Sequence, residues 1–148
     1  MRNQVKVFIV ALACLAGITA FAQEAVQKEK ALAKATGDWY EMNYSEKLVQ
    51  GEKFQFEVKV KNVKAELFLV CAFHWFEDKD KYGGVLEIIG KEEDVKNDKL
   101  YKFQPVMNGF PKEAKYVKIV IHTSPSGNWE DLVNKADSPK IPIVKVQK

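Results

Sequence analysis

The chain is poor in the residues that most often carry chemistry: 148 residues contain two cysteines and two histidines. Cys14 falls in an apolar N-terminal segment, so Cys71 is the one thiol expected in the folded part, which excludes an intramolecular disulfide. Its neighbours, Leu67-Phe68-Leu69-Val70-Cys71-Ala72-Phe73, predict a packed core thiol rather than a reactive one. A surplus of one charge is missing as well. Lysines alternate with glutamates and aspartates, 23 basic residues against 20 acidic, and no basic stripe of the kind that neutralises phosphates is concentrated anywhere, so nucleic-acid binding is not expected. Outside the N-terminus no run approaches the roughly 20 apolar residues of a transmembrane helix. There is no glycine-framed serine elbow, and Gly83-Gly84 has neither the following lysine nor the helix of a phosphate-cradling loop.

The N-terminus is the most legible segment. Arg2 and Lys6 precede an apolar stretch from Val7 to Ala16, and Ala20-Phe21-Ala22 offers small residues where a signal peptidase requires them, which predicts a secretory signal at 1–22 cleaved before Gln23. Lipidation of Cys14 is the less favoured reading, because Ala11 stands three residues before it and the apolar run continues to Ala22. Removing the segment takes two of the basic residues and no acidic one, so the formal charge falls from +3 to +1. The expected product is exported, to the periplasm or the extracellular space, with no membrane span after cleavage.

The remaining 126 residues suit one domain large enough to bury a core without staples. Residues 23–37 are rich in Ala, Lys and Glu, which predicts a short helix or loose lead stopped at Gly37. From 38 to 148 the period becomes two: Phe54, Phe56, Val58 and Val60 alternate with Gln55, Glu57 and Lys59, and Val117, Ile119 and Ile121 repeat the pattern. Strands are predicted at 39–44, 53–60, 66–76, 85–89, 99–105, 115–123 and 141–146, with one helical turn in 130–135. Gln50-Gly51, Asn62, Tyr82-Gly83-Gly84, Asn108-Gly109 and Ser124-Pro125-Ser126-Gly127 supply turn chemistry between them. The fold class is therefore all-β, an antiparallel β-sandwich of about seven strands.

Seven strands, a long apolar third strand and a sixth strand entered through Tyr116 resemble the immunoglobulin and fibronectin type III sandwiches. The resemblance is one of architecture. A carbohydrate-binding-type jelly roll shares the strand spacing and is the alternative.

The third strand is apolar on both faces: Leu67, Leu69, Cys71, Phe73 and Trp75 on one, Phe68, Val70, Ala72, His74 and Phe76 on the other. A two-layer sandwich requires only one such face. Either the segment before Gly37 or a long loop covers the second, or that face is an interaction surface.

If Phe76 lies opposite Lys115, His74 and His122 share the outer face but stand five residues apart, ~16 Å at ~3.3 Å per residue, too far for one zinc ion. Glu77-Asp78-Lys79-Asp80-Lys81-Tyr82-Gly83 lacks the alternating oxygens and closing glutamate of a calcium loop and reads as a solvated turn. No metal ligands, cofactor or catalytic residues are nominated, since acidic pairs cannot be singled out among 20 carboxylates. The loop after the sixth strand is the best candidate. Trp129, flanked by Asn128 and Glu130, offers an aromatic face beside hydrogen-bonding groups, and His122 and Asn62 are expected at the same end of the sandwich, with Tyr82 at the opposite end. The expected function is a non-catalytic secreted or periplasmic module binding a protein or glycan partner. A small extracellular polysaccharide hydrolase is the alternative.

Overall fold

The computed structural model describes residues 31–78 and 80–147. The expected signal segment, Cys14 and most of the lead up to Gly37 lie outside the described residues. From Ala33 onward the chain forms β1 (Ala33–Thr36), β2 (Tyr40–Tyr44), β3 (Leu48–Val49), β4 (Phe56–Val60), β5 (Phe68–Phe76), β6 (Tyr82–Glu92), β7 (Leu100–Phe103), β8 (Tyr116–Ser124), a 3-10 turn (Trp129–Asp131), β9 (Asn134–Asp137) and β10 (Ile141–Val144). One sheet runs β1-β2-β4-β7; the other runs β3-β10-β8-β5-β6, with β9 also on β8. β3 lies parallel to β10. The remaining strand pairs are antiparallel. The protein is an all-β sandwich.

Alternation decides what each sheet turns inward. Phe56, Val58 and Val60 of β4, Leu69, Cys71 and Phe73 of β5, and Val117, Ile119 and Ile121 of β8 have no exposed surface and meet in one cluster between the sheets. Phe54 closes on Phe73 edge to face at 5.2 Å between ring centres. Full burial of each such side chain contributes about 1.5–3 kcal/mol. Cys71 lies inside this cluster, where burial pushes its thiol well above the ordinary range and keeps it protonated.

Besides β3, a two-residue strand outside the expected set, three elements differ from the sequence expectation. Residues 33–36 are a strand on β2, because Ala33 and Ala35 pack on the core while Lys34 and Thr36 point away, an alternation too short to outweigh a helix-favouring composition. Gly37 is accordingly a hairpin residue: its N–H donates to the Tyr40 carbonyl at 3.0 Å, and the Tyr40 ring occupies the space a Cβ would need. The helical turn is confined to Trp129–Asp131, after which Asn134–Asp137 pairs with β8. β9 and β10 lie on the same edge of β8, separated by a one-residue register shift at Ser138-Pro139-Lys140. There Ser138 substitutes for the ladder, its N–H donating to the Ile119 carbonyl at 2.8 Å and its hydroxyl accepting from the Ile119 N–H at 2.9 Å.

The third difference shapes the site. Tyr82-Gly83-Gly84 is not a turn but the start of β6, and eleven residues of β6 oppose eight of β5. Gly83, Leu86 and Ile89 are the extra residues of three successive bulges. Gly83 is demanded by contact, since a Cβ there would come within 2.3 Å of the Trp75 ring. The bulges convert a period of two into a period of three: Tyr82, Val85, Ile88 and Lys91 stand opposite Phe76, His74, Ala72 and Val70, all on the outer face. Leu86 and Ile89 turn inward against the core.

Candidate functional site

The outer face of the second sheet is laid out in rows. Across β6, β5 and β8 the rows read Tyr82, Phe76, Tyr116; then Val85, His74, Lys118; then Ile88, Ala72, Val120; then Lys91, Val70, His122. β9 adds Asp137 beside Val120 and Lys135 beside His122. The result is an open trough of about 830 Å³ with an aliphatic floor and polar groups on its walls.

Trp129 lies over this face rather than plugging the end of the sandwich. Its ring is 4.8 Å from the His122 ring, nearly perpendicular, and 5.7 Å from the His74 ring, while Lys135 Nζ stands 5.4 Å from its centre. The loop that presents it is held by short bonds: the Ser126 N–H donates to Asp131 Oδ2 at 3.1 Å, the Asn128 N–H to Ser126 Oγ at 3.1 Å, and Asn134 Nδ2 to Thr123 Oγ1 at 2.9 Å. With 46% of its surface exposed, Trp129 both covers sheet and faces solvent. A loop thus covers part of the second apolar face of β5, while Val85 and Ile88 stay open.

The two histidines are neutral near pH 7. Burial is the main cause that holds each below the ordinary imidazole range; Asp137 opposes it at His74, and a hydrogen bond to the Gly127 backbone opposes it at His122. His74 Nδ1 shares a 3.3 Å hydrogen bond with the Tyr82 hydroxyl. His122 is 5% exposed, and its Nε2 is buried without a partner, as are Ser124 Oγ and Asp131 Oδ1 around the same loop. On the β9 wall, Asp137 lies 3.8 Å from Lys118 Nζ and 3.9 Å from Lys135 Nζ, so one carboxylate sits between two ammonium groups and is within hydrogen-bond reach of neither.

Of the residues singled out from sequence, Trp129, Asn128 and His122 meet in the trough. Glu130 and Asn62 are not among its lining residues. Asn62 instead sits at the turn after β4, its Nδ2 donating to the Asp38 carbonyl at 3.5 Å. Tyr82 is the correction in the other direction. Expected at the far end from Trp129, it lines the same trough, because the loop folds back over the middle of the sheet and His74 touches both rings. The register is also one residue off the assumption: Phe76 faces Tyr116 and His122 faces Val70, so the histidines stand four residues apart rather than five, ~13 Å along the strand. Trp129 fills that gap. His74, Lys118, Lys135, Asp137, Val85 and Ile88 were not singled out as site residues; the outward placement of His74 was legible from alternation, that of Val85 and Ile88 only once the bulges are known.

The charged turn before β6 holds its carboxylates in ion pairs: Lys81 with Glu77 at 2.7 Å, Lys115 with Asp78 at 2.9 Å, and Lys140 with Asp80 at 3.3 Å. Among the described residues no three metal-type donors come together. Comparison with family models, curated proteins and solved structures finds no match to this chain.

Proposed function

We propose that the chain is an exported, non-catalytic binding module that holds its partner in the outer-face trough, with Trp129 as the aromatic anchor. The observation that carries the reading is the half-exposed Trp129 above an aliphatic floor left open at Val85 and Ile88, an arrangement of apolar surface with a few placed polar groups that characterises ligand sites. The strand order supports an immunoglobulin-like assignment over a jelly roll: β2-β4-β7 faces β10-β8-β5-β6, and the chain crosses between sheets after β2, β3, β4, β6 and β7.

Two observations favour binding over hydrolysis. Asp137 is the one carboxylate among the lining residues described, and two lysines already neutralise it, whereas glycoside hydrolysis requires a facing acid and base. The floor also weighs on the partner class. Val70, Ala72, Val85, Ile88 and Val120 cannot bond sugar hydroxyls, so the trough supports a partner that presents an apolar group. Trp129→Ala tests the reading: in a glycan array and pull-down with the purified protein, partner binding should weaken by about thirtyfold, the loss typical of an aromatic anchor, with far-UV circular dichroism unchanged. Unchanged binding refutes the trough as the site.

A further inference from the structure

Resting on the binding-module reading, we infer that the trough receives a small amphipathic anion: an aromatic or aliphatic body seated on the floor beside Trp129, with a carboxylate or sulfonate head at Lys118 and Lys135. Volume argues for a compact ligand, since about 830 Å³ falls within the ~300–1,000 Å³ of small-molecule sites. Charge argues for its sign. Asp137 offsets one of the two ammonium groups beside it, Lys118 of β8 and Lys135 of β9, and at 3.8 and 3.9 Å neither donates a hydrogen bond to it, so the cluster carries a net positive charge and unspent donors. Both histidines beside it are neutral near pH 7 and add no competing charge requirement.

The aromatic rings fix where these cations sit. Lys118 Nζ lies 5.6 Å from the centre of the Phe76 ring and Lys135 Nζ 5.4 Å from that of Trp129. Lys91 repeats the arrangement over Phe68 at 4.8 Å, at the Gly127 end of the face. An ammonium group held against a ring is partly desolvated and bonds a ligand anion with less water to shed. A head at Lys118 and Lys135 places the body over Ala72 and Val120, the row in which Asp137 stands, and directs it toward Ile88 on the open side. A neutral saccharide would gain no charge contact and would leave hydroxyls unbonded on that floor.

The test uses two probes that differ in one group, 1-anilinonaphthalene-8-sulfonate and its uncharged parent N-phenyl-1-naphthylamine, titrated into the purified protein and read by the probe's own fluorescence on direct excitation. The sulfonate should bind about tenfold more tightly than the neutral probe, and Lys118→Met with Lys135→Met should abolish that difference while leaving the neutral probe's affinity within about twofold. Equal binding of the two probes by the native protein, or a difference that survives both substitutions, overturns the anion assignment. If both probes bind equally and Trp129→Ala abolishes both, the trough stands and only the charge preference falls; if neither binds, the binding-site reading falls with it. Competition separates the sources: displacement of the sulfonate by laurate supports an amphiphile, and displacement by trigalacturonate but not laurate overturns it in favour of an acidic glycan.

Discussion

The two faces of the β5–β8 pair are both apolar in sequence and have different fates. On the inner face Leu69, Cys71 and Phe73 meet Val117, Ile119 and Ile121 and vanish from solvent. On the outer face Val70, Ala72 and Val120 are also buried, but they alternate along β5 and β8 with His74, Lys118 and His122 on the same face, and the cover above them is a single loop. Hydrophobicity places residues out of water; polar residues spaced among them mark the face that stays accessible. The inner face therefore stabilises, and the outer face is the one proposed to bind.

The largest expected effect lies inside. Phe73 is fully buried and packs edge to face on Phe54, so Phe73→Ala removes a ring from a site that other strands cannot collapse to fill. Urea denaturation should show a loss of about 3–5 kcal/mol. A loss below about 1 kcal/mol would erase the distinction between the faces.

Below neutral pH the outer face contributes a dependence that the inner face does not, since the inner face's Cys71 thiol is protonated throughout that range. His74 and His122 both titrate below their ordinary value of 6.5, so the unfolded chain takes up protons first as pH falls. Stability from this source is complete above pH 6.5 and is lost as pH drops from there through the folded values. Glu41, bonded to Lys61, and Asp78, bonded to Lys115, have carboxyls held below 4.5 and 3.8, so their stabilisation is present above those values and is lost further down. Urea midpoints should fall between pH 7.5 and 5.0 in the native protein and fall less in His74→Gln. An equal fall in that variant would remove His74 from the account.

Several of these features could be read from sequence because one face or one residue type determines them. β4 and β8 announce themselves by alternation, β5 by its length and apolarity, and Trp129 by standing in a turn-forming loop. β3 spans two residues, and β9 hides in a segment whose strand character comes from pairing with β8 rather than from its own composition. Asn62 shares an end of the sandwich with Trp129 only if the loop stays at that end, and the loop folds back over the sheet instead. Tyr82, Val85 and Ile88 were illegible together for a different reason. Their common face exists only because of three bulges, and nothing in β6 alone states how many residues β5 will set against it.

β6 therefore offers the finest test of the comparison, between two residues that a two-residue period would place on one face. Leu86 is a bulge residue turned toward the core, whereas Ile88 stands opposite Ala72 with 61% of its surface exposed. Leu86→Ala should cost about 1 kcal/mol or more, the lower end of large-to-small core changes because the side chain is only partly buried. Ile88→Ala should move stability by no more than about 0.5 kcal/mol, as surface substitutions do, while weakening the naphthalene probes severalfold. Equal shifts in the urea midpoint would mean that the strand keeps its ordinary period, and that Tyr82, Val85 and Ile88 do not form one wall of the trough.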